Sequence, residues 1–335
     1  MKRAFITGIM GQDGSYLTEL LLSKGYELAG LVRPQSRGGL NEAQYLGDKV
    51  KLYYGSIENP EDIAVAILDF MPDEIYNLAS QSRPAESWVK NSETLLINGL
   101  GAAGLFEVAR IICPNARIYH ASSSEMFGNG MGAPQNESTP LNPLNPYAAS
   151  KVYAHNMAHI YRASYGSFIA NGILFNHESS RRPLNFVVQK IAFGAACARL
   201  KIQTSVQKNE IGKPLVENGR LALGNLEISR DWGHAKDFVR AMWLMLQHDK
   251  PEDFIVGTGM LHSLKDVCSV AYGHVGLDWT DYILSEKELM RPVDSTPIIA
   301  DYSKASQVLA WKPAISFEQM VSEMVDEKLL YLATN

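Results

Sequence analysis

Ala4-Phe5-Ile6-Thr7-Gly8-Ile9-Met10-Gly11-Gln12-Asp13-Gly14 is an apolar β-type run followed by three glycines in the spacing GxxGxxG. Residues 14–24 continue with Leu17, Leu20 and Leu21 at helical spacing, so the glycines lie between a strand and a helix. That placement gives the pattern its meaning, because a chain with 26 glycines matches it by chance elsewhere. Glycines there let the backbone turn tightly, approach a pyrophosphate and pack the helix on the strand. The helix N-terminus then offers N–H groups and a positive dipole end to the phosphates. Gly8, Gly11, Gln12, Asp13 and Gly14 are thus the candidate cofactor-binding turn.

Downstream, the same alternation repeats. Strands are expected over 26–33, 51–54, 74–78, 116–121 and 168–175, with helices over 60–71, 91–112 and 147–165. This βαβαβ order predicts an α/β fold with a doubly wound parallel sheet of the Rossmann type. After residue 176 the pieces shorten, with helices near 186–200, 234–248, 263–275 and 316–331. Residues 1–175 read as a Rossmann domain for NADP that carries the catalytic residues. Residues 176–335 read as a smaller, mainly substrate-binding α/β domain, with some segments returning to the first. Residues 203–220 (QTSVQKNEIGKPLVENGR) are polar, contain Gly and Pro, and look like an excursion from the fold.

The end of the second strand holds Arg33, then Arg37, with no acid before Glu42. An acid there would bind the ribose 2′-hydroxyl of NAD, whereas an arginine fork suits the 2′-phosphate of NADP. NADP is therefore the expected cofactor. Tyr147 and Lys151 stand four apart at the start of a helix, so they share a face, and an adjacent ammonium favours tyrosinate. Tyr45 and Lys49 match the same spacing, in a Gly-containing stretch where no stable helix would align them. Ser122-Ser123-Ser124-Glu125 follow a strand and put hydroxyls and a carboxylate at the sheet edge where active-site groups belong.

The chain has 335 residues, 46% hydrophobic and 20% charged, enough for a sizeable core without disulfide or metal staples. Net charge is −5 with no long run of either sign, which gives no case for nucleic acid or anionic membranes. Cys113, Cys197 and Cys268 have no metal or redox spacing, so no metal is expected. The first apolar run is too short for a signal peptide and no segment reads as a membrane span, so a cytoplasmic enzyme is expected.

TGxxGQDGSYL, PDEIYNLASQS, SSSEMFG, YAASK, NGILFNHES and SRDWGHAKDF together resemble the extended short-chain dehydrogenase/reductase superfamily, and within it the GDP-mannose 4,6-dehydratases. The resemblance implies a hydro-lyase that oxidises C4 of a GDP-sugar, eliminates water across C5–C6 and returns hydride to C6. It makes Tyr147 the base at O4, Lys151 the ribose anchor, Ser123 a hydrogen-bonding hydroxyl near O4 and Glu125 the base at C5. Ser124, Asn176, Lys190, Arg230 and Arg291 become substrate-binding candidates, and Arg33 the contact for the 2′-phosphate. It also implies a homodimer or homotetramer, with the helices at 91–112 and 147–165 pairing between subunits and the loop at 33–48 extending the assembly.

Three features depart from that family. Ser56-Ile57 replaces an Asp-Leu pair at the adenine, Arg83-Pro84 replaces His-Val near the sugar pocket, and residues 203–220 precede Leu223-Gly224-Asn225, near the nucleotide. They leave open a dehydratase of another GDP-sugar, such as a mannoheptose, or a related 4-epimerase or 4-keto reductase.

Overall fold

The computed structural model describes residues 1–34, 49–130, 134–289 and 296–334. Strands β1 (Arg3–Thr7), β2 (Glu27–Val32), β3 (Val50–Tyr54), β4 (Glu74–Asn77), β5 (Arg117–Ser123) and β6 (Ile169–Leu174) all lie in one sheet. Its order is β3-β2-β1-β4-β5-β6, closed by the strand Asp253–Val256, and every pairing is parallel. The strands read as continuous apolar runs because helices cover both faces. The expected doubly wound Rossmann sheet is present. From β1 the chain winds outward in both directions, so a crevice opens at the carboxyl ends of β1 and β4.

Helix α1 (Gln12–Ser23) and the helix Ala235–Gln247 cover one face, where Leu17, Leu21, Phe238 and Met242 are buried against the sheet. The helices Pro60–Phe70, Asn91–Ile112 and Pro146–Tyr165 cover the other, through Ile63, Phe106 and Ala154. Asn59 and Asn145 start two of these helices, each accepting a backbone N–H just ahead of a proline in the first turn. A second core joins the helices Val187–Arg199, Leu264–His274 and Phe317–Thr334 to a small sheet of residues 216–217, 220–223 and 283–285. Thus the strand Asp253–Val256 and the helix Ala235–Gln247, both beyond residue 176, pack in the first layer.

Two expectations shift. β5 runs to Ser123 rather than stopping at 121, because its parallel register with β6 continues to Ser123 opposite Leu174. The helix Asn91–Ile112 is, contrary to the sequence reading, long and apolar enough to span a membrane by length and composition. Its Ile97, Leu105, Phe106 and Ala109 are buried on the sheet, which accounts for much of that apolar content. Cys113, Cys197 and Cys268 are buried free thiols.

Candidate active site

The turn from β1 into α1 accepts only glycine at two positions. Gly8 adopts φ +71°, and a Cβ there would lie 2.8 Å from the Ala79 nitrogen. At Gly14 a Cβ would meet the Gly8 carbonyl oxygen at 2.4 Å. No side chain caps α1, whose N-cap is Gly11. Gly8, Gly11 and Gly14 therefore line an open cleft of about 390 Å³, with Arg33 and Arg182 on its walls. Bare glycine backbone, an uncapped helix start and two guanidinium groups fit a dinucleotide pyrophosphate and an additional phosphate.

Gln12 and Asp13 border this cleft, but their side chains are engaged elsewhere. Gln12 donates to the His177 carbonyl at 3.3 Å and accepts from Ser179 Oγ at 2.8 Å. Asp13 Oδ2 lies 2.9 Å from His177 Nε2, while His177 Nδ1 lies 2.8 Å from the Phe175 carbonyl. Both ring nitrogens face acceptors, so the geometry calls for an imidazolium, stacked 4.4 Å from the Phe238 ring. Burial opposes both charges, yet His177 and Arg182 hold the Asp13 pKa below its usual value and Asp13 holds that of His177 above its own. The Asp13 contribution to stability is present above pH 3.8 and lost as pH falls through the lowered value. The His177 contribution is complete below pH 6.5 and lost as pH rises through the raised value. Thermal unfolding should therefore show the widest gap between wild type and His177→Gln between pH 3.8 and 6.5, narrowing above it. A gap that stays constant across pH would mean that the pair is not ionised.

The catalytic candidates converge across the carboxyl ends of β4 and β5. Ser123 ends β5 and caps the short 3₁₀ turn Ser124–Phe127, its Oγ accepting from the Glu125 N–H at 3.2 Å. Asn145 caps the Pro146–Tyr165 helix through Oδ1 and donates Nδ2 to Glu125 Oε2 at 3.0 Å. One asparagine thus ties the candidate C5 base to the helix turn that carries Tyr147. Burial pushes the Tyr147 hydroxyl up to about 12, helped by the Glu125 charge. Hydrogen bonds from Ser123 and Ser80 and the charge of Arg182 oppose it. Lys151, also buried and brought down to about 8, donates to the Ala121 carbonyl at 2.9 Å. Its ammonium lies 5.8 Å from the centre of the Tyr147 ring. The four-residue spacing does put the two on one face, and Ser123, Arg182 and Ser80 favour the tyrosinate.

Ser80, Arg182 and Asn98 were not singled out from the sequence. Asn98 lies in a π-helical turn, Leu96–Gly101, and its Oδ1 accepts from Ser80 Oγ at 3.0 Å and from the Gln81 N–H at 2.8 Å. The wide turn aims Asn98 at the loop after β4 and so fixes Ser80 beside Tyr147. Arg182 stacks on Phe186 and lies 3.5 Å from the buried Glu178. The only signal for it was a pair of arginines, Arg181 and Arg182, one residue after NHES.

Of the substrate-binding candidates, Ser124 is buried beneath Glu125 in the turn, and Asn176 pairs in register with Trp232. Arg230 pairs in register with His262 and donates to the Ser229 carbonyl. Lys190 forms an ion pair with Glu210, which belongs to the excursion at 203–220, and Arg83 adds to the field that lowers the Glu210 pKa against its burial. The excursion is anchored rather than loose, because Leu215 and Val216 are buried in the second core. Arg291, Arg37, Tyr45 and nearly all of the 33–48 loop lie outside the described residues.

Solved structures share this architecture. The dTDP-glucose 4,6-dehydratase of Bacillus anthracis, in complex with NAD, superposes with a TM-score of 0.82 at 21% identity, covering 98% of this chain and 96% of that one. The RMD protein of Pseudomonas aeruginosa, complexed with NADPH, gives 0.79 at 20%, covering 99% and 100%. At such identity they speak for the fold alone. Curated relatives are closer in sequence. GDP-mannose 4,6 dehydratase 1 of Arabidopsis thaliana is 42% identical over 98% of this chain and 90% of its own length. The human GDP-mannose 4,6 dehydratase is 37% identical over 99% and 92%. A sequence model described as GDP-mannose 4,6 dehydratase matches residues 5–324, a span that takes in the glycine turn, the Ser123–Lys151 cluster and the NHES strand alike. By that match and those identities, the chain belongs to the GDP-mannose 4,6 dehydratase family.

Proposed function

We propose that this enzyme dehydrates GDP-mannose to GDP-4-dehydro-6-deoxy-D-mannose with NADP held in the glycine-lined cleft. The observation that carries the reading is the joining of Tyr147 and Glu125 through Ser123 beside that cleft. One group suits oxidation at C4 and the other proton removal at C5, and the curated relatives bear the name of that reaction.

Water does not leave C5–C6 of an unactivated sugar, because its C5 proton is not acidic. NADP supplies the hydride acceptor for C4 and later the donor for C6. Tyr147 takes the O4 proton, helped by the Ser123 and Ser80 hydroxyls and the Arg182 charge that favour its phenolate. The 4-ketone then acidifies C5, Glu125 removes that proton and passes it to the departing C6 hydroxyl as water forms, and once hydride has returned to C6 a proton from solvent is added at C5. Lys151 orients the cofactor ribose from the face it shares with Tyr147. Arg33 meets the 2′-phosphate, and Asn176, Lys190 and Arg230 hold the nucleotide diphosphate, with Arg291 as a further candidate. Residues 1–175 serve the cofactor and the chemistry, and 176–335 mainly the substrate.

The test is incubation with GDP-mannose and NADP, followed by mass analysis of the sugar nucleotide. Loss of one water with no net reduced cofactor is expected, and faster with NADP than with NAD. An unchanged sugar, or equal use of NAD, would overturn the reading. A homodimer or homotetramer belongs to the same proposal. Leu95, Leu96 and Leu100 on one helix and Tyr153 and Ile160 on its neighbour expose apolar area that a second subunit would cover. Sedimentation at micromolar concentration should give a dimer or larger, and a monomer would contradict it.

A further inference from the structure

The catalytic helix carries a second constellation, further along than Lys151, that the dehydration does not use. His155 and His159 stand four apart on the helix Pro146–Tyr165, with ring centres 4.7 Å apart. Asp253, at the start of the last strand of the sheet, places Oδ2 2.6 Å from His159 Nε2 and 3.5 Å from His155 Nε2. The three donor atoms lie within 4.8 Å of one another. A tetrahedral ion with nitrogen and oxygen ligands at about 2.0–2.2 Å sets its donors about 3.3 Å apart, between the two observed separations.

The surroundings orient each donor. His155 Nδ1 lies 3.0 Å from Ser122 Oγ, so an Nδ1–H donated to that hydroxyl leaves the Nε2 lone pair aimed at the cluster. Asp253 Oδ1 is held by Arg162 at 2.7 Å and Asn171 at 3.0 Å, which leaves Oδ2 for the other two. His159 is half exposed, which gives an ion a way in and a water a fourth position. We propose that His155, His159 and Asp253 form a solvent-accessible site for a divalent ion of the zinc class. An ion there ties the last strand of the sheet to the catalytic helix and, through Ser122, to the strand that ends at Ser123. It takes no part in the chemistry.

The test is calorimetric titration of Zn²⁺ into the untagged, chelator-stripped chain, with thermal unfolding beside it. One equivalent should bind and raise Tm. His159→Gln, at a half-exposed position, should keep its metal-free Tm and lose affinity by about 10²-fold or more, since even outer partners of a metal site are worth 10–100-fold. His274→Gln removes an exposed histidine that pairs with Asp326, and should bind as wild type does. Co²⁺ in place of Zn²⁺ should give the visible bands of a four-coordinate ion in wild type and not in His159→Gln. Absence of stoichiometric binding to wild type, or equal affinity in wild type and His159→Gln, overturns the proposal.

Discussion

Tyr147→Phe should stop the reaction before any change in the sugar, while Glu125→Gln should stop it one step later. Without the phenol nothing takes the O4 proton, no ketone forms, and C5 never becomes acidic. Glu125→Gln leaves Tyr147 and Lys151 in place and keeps an amide that Asn145 can still meet, so C4 oxidation proceeds and elimination stalls. Removing a general base costs about 10²–10⁴-fold in rate, and each variant should lose that much product formation. Absorbance of reduced nicotinamide then separates them: a small enzyme-bound signal in Glu125→Gln, and none in Tyr147→Phe. In deuterated water wild type should place one deuterium at C5 of the product. Dehydration by Glu125→Gln at nearly the wild-type rate would remove Glu125 from the elimination step.

The second large effect lies in the glycine turn. At Gly14 the three atoms nearest a Cβ are all backbone, the Gly8 and Ile9 carbonyl oxygens at 2.4 and 2.5 Å and the Ile9 carbonyl carbon at 2.6 Å. No rotamer change relieves this, so Gly14→Ala must push α1 away from β1. Overpacking of this kind costs about 1–3 kcal/mol, and it falls where the backbone has to approach a pyrophosphate. Equilibrium titration should show NADP binding weakened by about 5- to 150-fold, the loss that about 1–3 kcal/mol amounts to when it falls on the phosphate donors. Gly273→Ala is the control. It lies in the helix Leu264–His274 with nothing within 4 Å of its Cβ, and alanine there should be neutral or stabilising by about 1 kcal/mol. If Gly14→Ala binds NADP as wild type does, the cleft is not the cofactor site.

What could be read before the structure was local. The apolar run at 4–7, the glycine spacing and the capped helices at 60 and 146 each declare themselves within a few residues, and the sheet follows from their alternation. The site was legible only in part, because its electrostatics come from long-range neighbours. Ser80 and Asn98 bond across 18 residues, and Asp13 and His177 across 164. Lys151 shows the limit of spacing as a guide. Four residues place it on the Tyr147 face, but nothing in a spacing reveals that its ammonium is drawn to the Ala121 carbonyl. The ion pair of Lys190 with Glu210 was hidden in the same way, since composition marked 203–220 as polar without saying what it would touch.

The position of Asp253–Val256 at the edge of the sheet has a consequence for how the protein is made. During synthesis β6 leaves the ribosome about eighty residues before the strand that pairs with it, and for that interval its outer edge is an open template for other chains. The face holding α1 is bare for nearly as long, until Phe238 and Met242 arrive on Ala235–Gln247. A nascent chain paused near residue 175 therefore presents both an unpaired strand and uncovered apolar surface, the features that chaperones recognise. The slow step of maturation is then the return of residues 235–256 to a sheet begun long before, and slowing translation ahead of that segment should lower the yield of soluble enzyme rather than raise it.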